Sequence, residues 1–246
     1  IVSPWMENGT IIKYLNDHGR ANVDKLLLQI AQGLQYLHSR NVVHGDLRGA
    51  NILLINREWN ACLADFGLTS LSDATAASNT TTAHRAGRIR WMAPELIDPG
   101  HFGLKFVRTP ATDVYAFGCV YLELYTRQRP FATLSETATL LRVINGDRPG
   151  RPWGTMLSNA LWELVNECWA QWSAHRPATD AVVKHMIEGS APRSRSLSPF
   201  IPPLELEGPL PSPEFFPLYR FRRRTFLLEK FLSRNRKRPP LYFNNG

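Results

Sequence analysis

His44-Gly45-Asp46-Leu47-Arg48-Gly49-Ala50-Asn51 is the stretch that decides how this chain is read. It follows the β-rich pair Val42-Val43 and sets an aspartate, an arginine and, five residues after the aspartate, an asparagine into one short turn region. Fourteen residues beyond Asn51 stands Asp65-Phe66-Gly67, just after the apolar run Cys62-Leu63-Ala64. Two carboxylates and an amide thus stand near strand ends, where chemistry often collects. The plainer reading of each residue alone is an aspartate that caps a turn and an asparagine that holds a loop.

The surroundings give that stretch an architecture. Upstream, Val23, Leu26, Leu27, Ile30, Leu34 and Leu37 recur at helical spacing, which predicts an amphipathic helix with Asn22 as its N-cap. Downstream, Ile52-Leu53-Leu54-Ile55 and Cys62-Leu63-Ala64 read as short strands joined through the polar stretch Asn56 to Asn60, a hairpin. Residues 68 to 90 are rich in Ser, Thr and Ala with few large apolar groups, so they read as a long loop, which compact domains keep only for a use. Asp113 to Tyr125 is apolar nearly all round, as in a helix buried on every side. Helices are also predicted around Leu161 to Trp169 and Ala181 to Ile187, and no internal repeat is visible. The expected fold class is therefore an α-rich α+β lobe with a small β-hairpin sheet.

In this order, His44 to Asn51, Asp65-Phe66-Gly67, Ala93-Pro94-Glu95, Asp113 to Gly118 and Arg176-Pro177 resemble the catalytic loop, the metal-binding tripeptide and the later landmarks of the large lobe of protein kinases. Each piece is weak alone, and five in sequence are specific. Ile1 to Gly9 looks like the hinge of the tyrosine-kinase-like group, while Asp46-Leu47-Arg48 and Arg90 to Glu95 resemble both tyrosine kinases and tyrosine-kinase-like serine/threonine kinases. The resemblance implies phosphoryl transfer from ATP with Mg2+ to a hydroxyl of a protein substrate, Ser/Thr favoured and Tyr open. It implies Asp46 as the group that accepts or orients the hydroxyl proton and Arg48 as the cation facing the transferred phosphate. Asn51 and Asp65 would ligate the metal. Ser3 stands at the gatekeeper position of a hinge, the Met6 backbone would bond adenine, and Leu53 would floor it. Glu95 with Arg176 looks like a buried ion pair, and Asp113 like the residue that holds the catalytic-loop backbone, both supports rather than chemistry. Trp91, Trp153, Trp162, Trp169 and Trp172 read as lobe core.

The resemblance covers residues 1 to about 189. It lacks the glycine-rich loop, the strand lysine and the helix glutamate of the small lobe, so a missing N-terminal lobe is an implied partner and the chain, opening on Ile1, reads as a truncated and inactive piece. Gly45 stands where the family commonly has an arginine that receives an activation-loop phosphate, which implies that phosphorylation between Asp65 and Glu95 acts weakly. Arg85, Arg88 and Arg90 are then the nearest substitute receivers. The rival function class is a kinase-like scaffold or pseudokinase binding module.

Charge separates the rest. Of the 246 residues, 29 are Lys or Arg against 21 Asp or Glu, a net +8, and residues 190 to 246 alone hold 11 against 4 together with 10 of the 18 prolines. Such a stretch reads as a Pro-rich, disordered tail beyond a 1–189 kinase-like domain. Arg220, Arg222, Arg223, Arg224 and Lys230 interleave with Phe221, Phe226 and Leu227, a basic amphipathic pattern suited to anionic lipid, nucleic acid or a nuclear-import receptor. No nucleic-acid fold signature accompanies it. Cys62, Cys119 and Cys168 lie among apolar neighbours and read as free thiols in a reducing compartment. With no run of 18 to 20 apolar residues and no signal-like start, no transmembrane segment is expected; the chain reads as intracellular, cytoplasmic, with a nuclear role left to the tail.

Overall fold

The computed structural model describes residues 9–19, 22–54, 60–65, 70–71, 87–152 and 157–190, the pair 70–71 by its backbone alone. In chain order the elements are α1 (Ile11–His18), α2 (Val23–Ser39), β1 (Val42–Val43), β2 (Ile52–Leu54), β3 (Ala61–Leu63), β4 (Ser70–Leu71), α3 (Pro94–Ile97), α4 (Pro110–Thr126), α5 (Glu136–Ile144), α6 (Asn159–Cys168) and α7 (Thr179–Ser190). Helices dominate and the strands form two short antiparallel pairs, which is the α-rich α+β class expected. Ser3, Met6, the hairpin tip 55–59 and all but the first residue of the proposed 190–246 tail lie outside the described residues.

The centre is α4. All residues from Thr112 to Tyr125 are buried, as the unbroken apolar reading requires. Its start is written locally: Thr109 accepts from the Thr112 amide, Thr112 Oγ1 accepts in return from the Thr109 amide at 3.0 Å, and Pro110 occupies a position where its missing N–H costs nothing. α2 packs against α7 and β3, and α6 against α4. The predicted apolar face of α2 is the buried one, with Leu26, Leu27, Ile30 and Leu34 all at 1% exposure or less. Asn22 stands before it with φ 70° and makes no side-chain capping bond. A side-chain cap needs an extended N-cap residue, and a left-handed one does not supply it.

β2 and β3 pair as the hairpin reading requires, Ile52 opposite Leu63, Leu53 opposite Cys62 and Leu54 opposite Ala61. The stretch 68–90 is not all loop. Ser70–Leu71 forms β4 on β1, with Val42 opposite Leu71 and Val43 opposite Ser70, and Ile89–Trp91 forms a 3-10 turn. Val42 and Val43 are fully buried, and buried backbone groups must find partners, so this register recruits a segment whose side chains carry no strand pattern. α1 and α5 also escaped the apolar periodicity; their signal is the cap, Thr10 accepting from Lys13 N and Ser135 from Ala138 N. Of the tryptophans read as core, Trp169 is 2% exposed, whereas Trp172 is 51% exposed beside Phe102. Trp153 lies outside the described residues. Cys119 and Cys168 are buried free thiols, Cys62 half-buried, and burial pushes the Cys119 thiol up to about 12, which leaves it inert at neutral pH.

Two buried carboxylates tie the segment around Trp91 to the helices. Glu95, in α3, meets Arg176 in a two-pronged pair at 2.6 and 2.7 Å, and Arg176 also donates to Ala170 O and Ala111 O at 2.9 and 3.0 Å. Every arm of the guanidinium is used, so the charge is solvated by protein in place of water. Glu123, on α4, accepts the Gly49 amide and the Trp91 indole N–H, both at 2.9 Å on Oε2. A Cβ at Gly49 would come within 2.7 Å of the Ile12 side chain and 3.0 Å of Glu123 Cδ, so a larger residue there would require the Ile12 side chain to shift. Burial raises the Glu123 carboxyl to about 7 although the two donors and Arg48 oppose it.

Two outcomes follow from these carboxylates. Arg176→Ala leaves Glu95 charged and unpaired in the interior and should cost about 3 to 5 kcal/mol, read as a lowered denaturant midpoint. For Glu123 the folded state holds its proton more tightly than the unfolded chain. Its contribution is therefore complete below about pH 4.5 and is lost as pH rises through about 7. Glu123→Gln should gain on the parent by about 3 kcal/mol between pH 4.5 and 8, and a difference independent of pH would contradict the assignment.

Candidate active site

Asp113 organises the loop that the sequence singled out. From the first turn of α4 its Oδ2 accepts the His44 amide at 2.8 Å and lies 3.0 Å from His38 Nε2 at the end of α2, while its Oδ1 accepts the Gly45 amide at 2.9 Å. The far ring nitrogen of His38 faces Thr179 Oγ1, at the start of α7, at 3.4 Å. Two helices thus meet at one carboxylate, with a third behind the His38 ring, and the carboxylate fixes the backbone of 44–45.

His44 is fully buried. Its Nδ1 receives the Asp46 amide at 3.3 Å, which leaves the proton on Nε2 to be donated to Ala64 O at 3.1 Å. Burial pushes this imidazole below its usual range, the neighbouring carboxylates of Asp113 and Asp46 opposing in part, in keeping with a neutral ring in that network. Gly45 takes φ 78°, a left-handed backbone that arginine would adopt only with strain, and its carbonyl accepts from Arg108 Nε at 3.1 Å.

Beyond this anchor the loop turns through the 3-10 segment Gly49–Asn51 and brings Asp46 and Asn51 together. Asn51 Nδ2 donates to Asp46 O at 2.8 Å and to Asp46 Oδ2 at 2.9 Å. Both acceptors are oxygens, which sets the amide orientation and leaves the Asn51 carbonyl oxygen for a cation. The Ala64 amide donates to Asn51 O at 2.9 Å and so carries Asp65 to the loop. Asp65 has φ 60°, a left-handed conformation uncommon outside glycine and tolerated best by Asp and Asn. The chemistry of the donors fits Mg2+, which takes one or two protein oxygens and completes its shell with water and phosphate. No cluster of three or more His, Cys, Asp or Glu that could cage a metal occurs among the described residues. Leu53 sits half-buried in β2, bridged to Thr10.

The positive charge is arranged differently from the sequence reading. Arg48 Nε lies 3.9 Å from Asp46 Oδ2, and a second guanidinium, Arg88 Nε, lies 3.5 Å from the same oxygen. Nothing local in the sequence joins Arg88 to Asp46; the fold does. Arg90, grouped with Arg88 as a receiver of loop phosphate, is spent elsewhere. It is 2% exposed and donates to the carbonyls of Pro130, Phe131 and Leu134 and to Thr139 Oγ1. Glu123 and Trp91, which hold Gly49 from below, were not among the expected site residues. The apolar setting of Glu123 in α4 was the available signal, since a carboxylate buried there must have a purpose.

No helix among the described residues is long and apolar enough to cross a membrane. Residues 1–186 match the family described as protein tyrosine and serine/threonine kinase. Over 202 residues the chain is 31% identical to the cytokinesis protein sepH of Emericella nidulans, covering 81% of this chain and 14% of that protein. Over 189 residues it is 32% identical to the serine/threonine/tyrosine-protein kinase HT1 of Arabidopsis thaliana, covering 74% of this chain and 45% of that one. A third relative, the serine/threonine-protein kinase/receptor R818 of Acanthamoeba polyphaga mimivirus, is 32% identical over 186 residues, 72% of this chain and 11% of its own. The chain therefore spans between a tenth and a half of the length of these curated relatives. With the match running from the first residue into α7 and the catalytic-loop stretch held by Asp113, this chain belongs to the family of protein tyrosine and serine/threonine kinases.

Proposed function

We propose that residues 1–189 are the large lobe of a protein kinase of the tyrosine-kinase-like group, followed by a separate basic tail from residue 190. The lobe moves the terminal phosphoryl group of ATP to a protein hydroxyl, with serine and threonine favoured. The observation that carries this reading is the Asn51 amide, bonded at once to the backbone and to the carboxylate of Asp46 on a loop clamped by Asp113. A turn-capping aspartate has no need of a buried asparagine to hold its side chain. A residue that must present one oxygen to a reacting hydroxyl does.

In the reaction the hydroxyl oxygen bonds to phosphorus, the bond to the departing diphosphate breaks, and the hydroxyl proton passes to Asp46. Asp46 orients the hydroxyl and accepts that proton. Arg48 offsets the charge spread over the phosphoryl oxygens. The Asn51 oxygen and the Asp65 carboxylate would hold Mg2+, which supplies charge neutralisation between the phosphates when bound. Leu53 would lie under the adenine, with Ser3 and Met6 at the hinge.

The 246 residues contain no glycine-rich phosphate loop with its strand lysine. By themselves they should bind Mg-ATP poorly and transfer no phosphate; a robust transfer rate from the purified chain would overturn that. Joined behind a small lobe that supplies both, Asp46→Asn should abolish turnover, by about a thousandfold or more, with nucleotide affinity nearly unchanged. Asp65→Asn should instead weaken metal-dependent nucleotide binding. Equal loss of nucleotide affinity in the two variants would contradict the separate roles. Turnover unaffected by Asp46→Asn would return the chain to the class of kinase-like binding modules.

A further inference from the structure

We propose that Arg88 is a second ligand, beside Arg48, for the phosphoryl group handled at Asp46, so that two guanidiniums from two chain segments hold its oxygens. The proposal rests on the kinase reading above and adds to it a residue from the far side of the long loop.

The distances are the first ground. Arg88 Nε at 3.5 Å and Arg48 Nε at 3.9 Å both stand off Asp46 Oδ2, beyond the roughly 2.7 to 2.9 Å of a closed ion-pair hydrogen bond. That oxygen already accepts from Asn51 Nδ2. Neither arginine is satisfied by the carboxylate it approaches. The second ground is the donors themselves: Arg48 Nε and Arg88 Nη1 are buried and have no hydrogen-bond partner among the described residues. A charged donor kept from water without an acceptor is costly, and here one such donor belongs to each of the two guanidiniums that approach Asp46 Oδ2.

Arg88 is also aimed. The residue before it is tied down, the Gly87 amide donating to Glu136 Oε1 at 2.9 Å. Beyond it Arg90 is locked by its four acceptors and Trp91 by Glu123. A side chain between such anchors, one quarter exposed, is placed by the segment and not by its own ion pair. The acceptor must be anionic, must reach donors from both arginines, and must leave one carboxylate oxygen of Asp46 to face a hydroxyl. A tetrahedral phosphoryl group meets all three, because its charge is spread over oxygens pointing in different directions.

The test uses the 246-residue chain and inorganic phosphate at constant ionic strength, followed by phosphorus NMR. The parent should bind phosphate in the millimolar range. Arg88→Gln and Arg48→Gln should each weaken it about tenfold or more, and Arg88→Lys should recover part of the loss. On the unsubstituted chain, phosphate should slow modification of Arg88 and Arg48 by phenylglyoxal, read by mass spectrometry, which tests the site without any variant. A parent that binds no phosphate, affinity within twofold of the parent in Arg88→Gln, or no protection of Arg88 would each overturn the proposal. Tighter binding in Arg88→Gln would also overturn it, since Arg88 would then be a plug on Asp46. Turnover enters none of these readings, so the role of Arg88 and the kinase reading fail separately.

Discussion

The Asp113 carboxylate is the constraint on which the site depends. One side chain accepts two successive backbone amides, those of His44 and Gly45, and faces the His38 ring, so it decides where the residues after β1 run. A buried carboxylate is costly unless its lone pairs are filled, and here the cost is offset by amides that would otherwise be orphaned in a turn. Because Asp113 sits at the start of the most deeply buried helix, the loop inherits the rigidity of the core. The positions of Asp46 and Asn51 then follow within a few bonds.

A second anchor beneath the loop explains its tightness. Glu123 lies on α4, the same helix as Asp113, and holds Gly49, so both ends of the turn that displays Asp46 are fastened to one rod. The absence of a side chain at Gly49 lets Ile12 and Glu123 approach the backbone. Trp91 shares the Glu123 oxygen, and Glu95 a few residues on is fixed by Arg176. The segment after the long loop is therefore tied to the helices at several points, which is what places Arg88 next to Asp46. Positive charge in the site comes from two directions as a result of packing.

Position 45 joins backbone geometry to this arrangement. Its φ of 78° suits glycine, and the strand-to-loop turn there is shaped by the Asp113 clamp on one side and Arg108 on the carbonyl. An arginine at this position would carry backbone strain that glycine avoids. The cations that remain near Asp46 are those the fold supplies, Arg48 from the loop itself and Arg88 from the segment beyond it.

The sequence by itself determined the elements whose signal is local. The apolar period of α2, the all-round burial of α4 and the hairpin of β2 with β3 could be read directly, because burial of a face leaves a period in the chain. The landmark residues Asp46, Asn51, Asp65, Glu95, Asp113 and Arg176 were legible in the same way, as short patterns whose order identifies a family. Tertiary structure alone decided the rest. β4 forms because β1 needs a backbone partner, and backbone hydrogen bonds carry no side-chain signature. Asn22 stands at a helix start without capping it, since its backbone dihedral is set by the approach of the chain. Arg88 and Arg90, two residues apart and alike in sequence, divide between the Asp46 carboxylate and a buried set of carbonyls. That division depends on which neighbours lie within a few ångströms, a matter of packing between segments far apart in the chain.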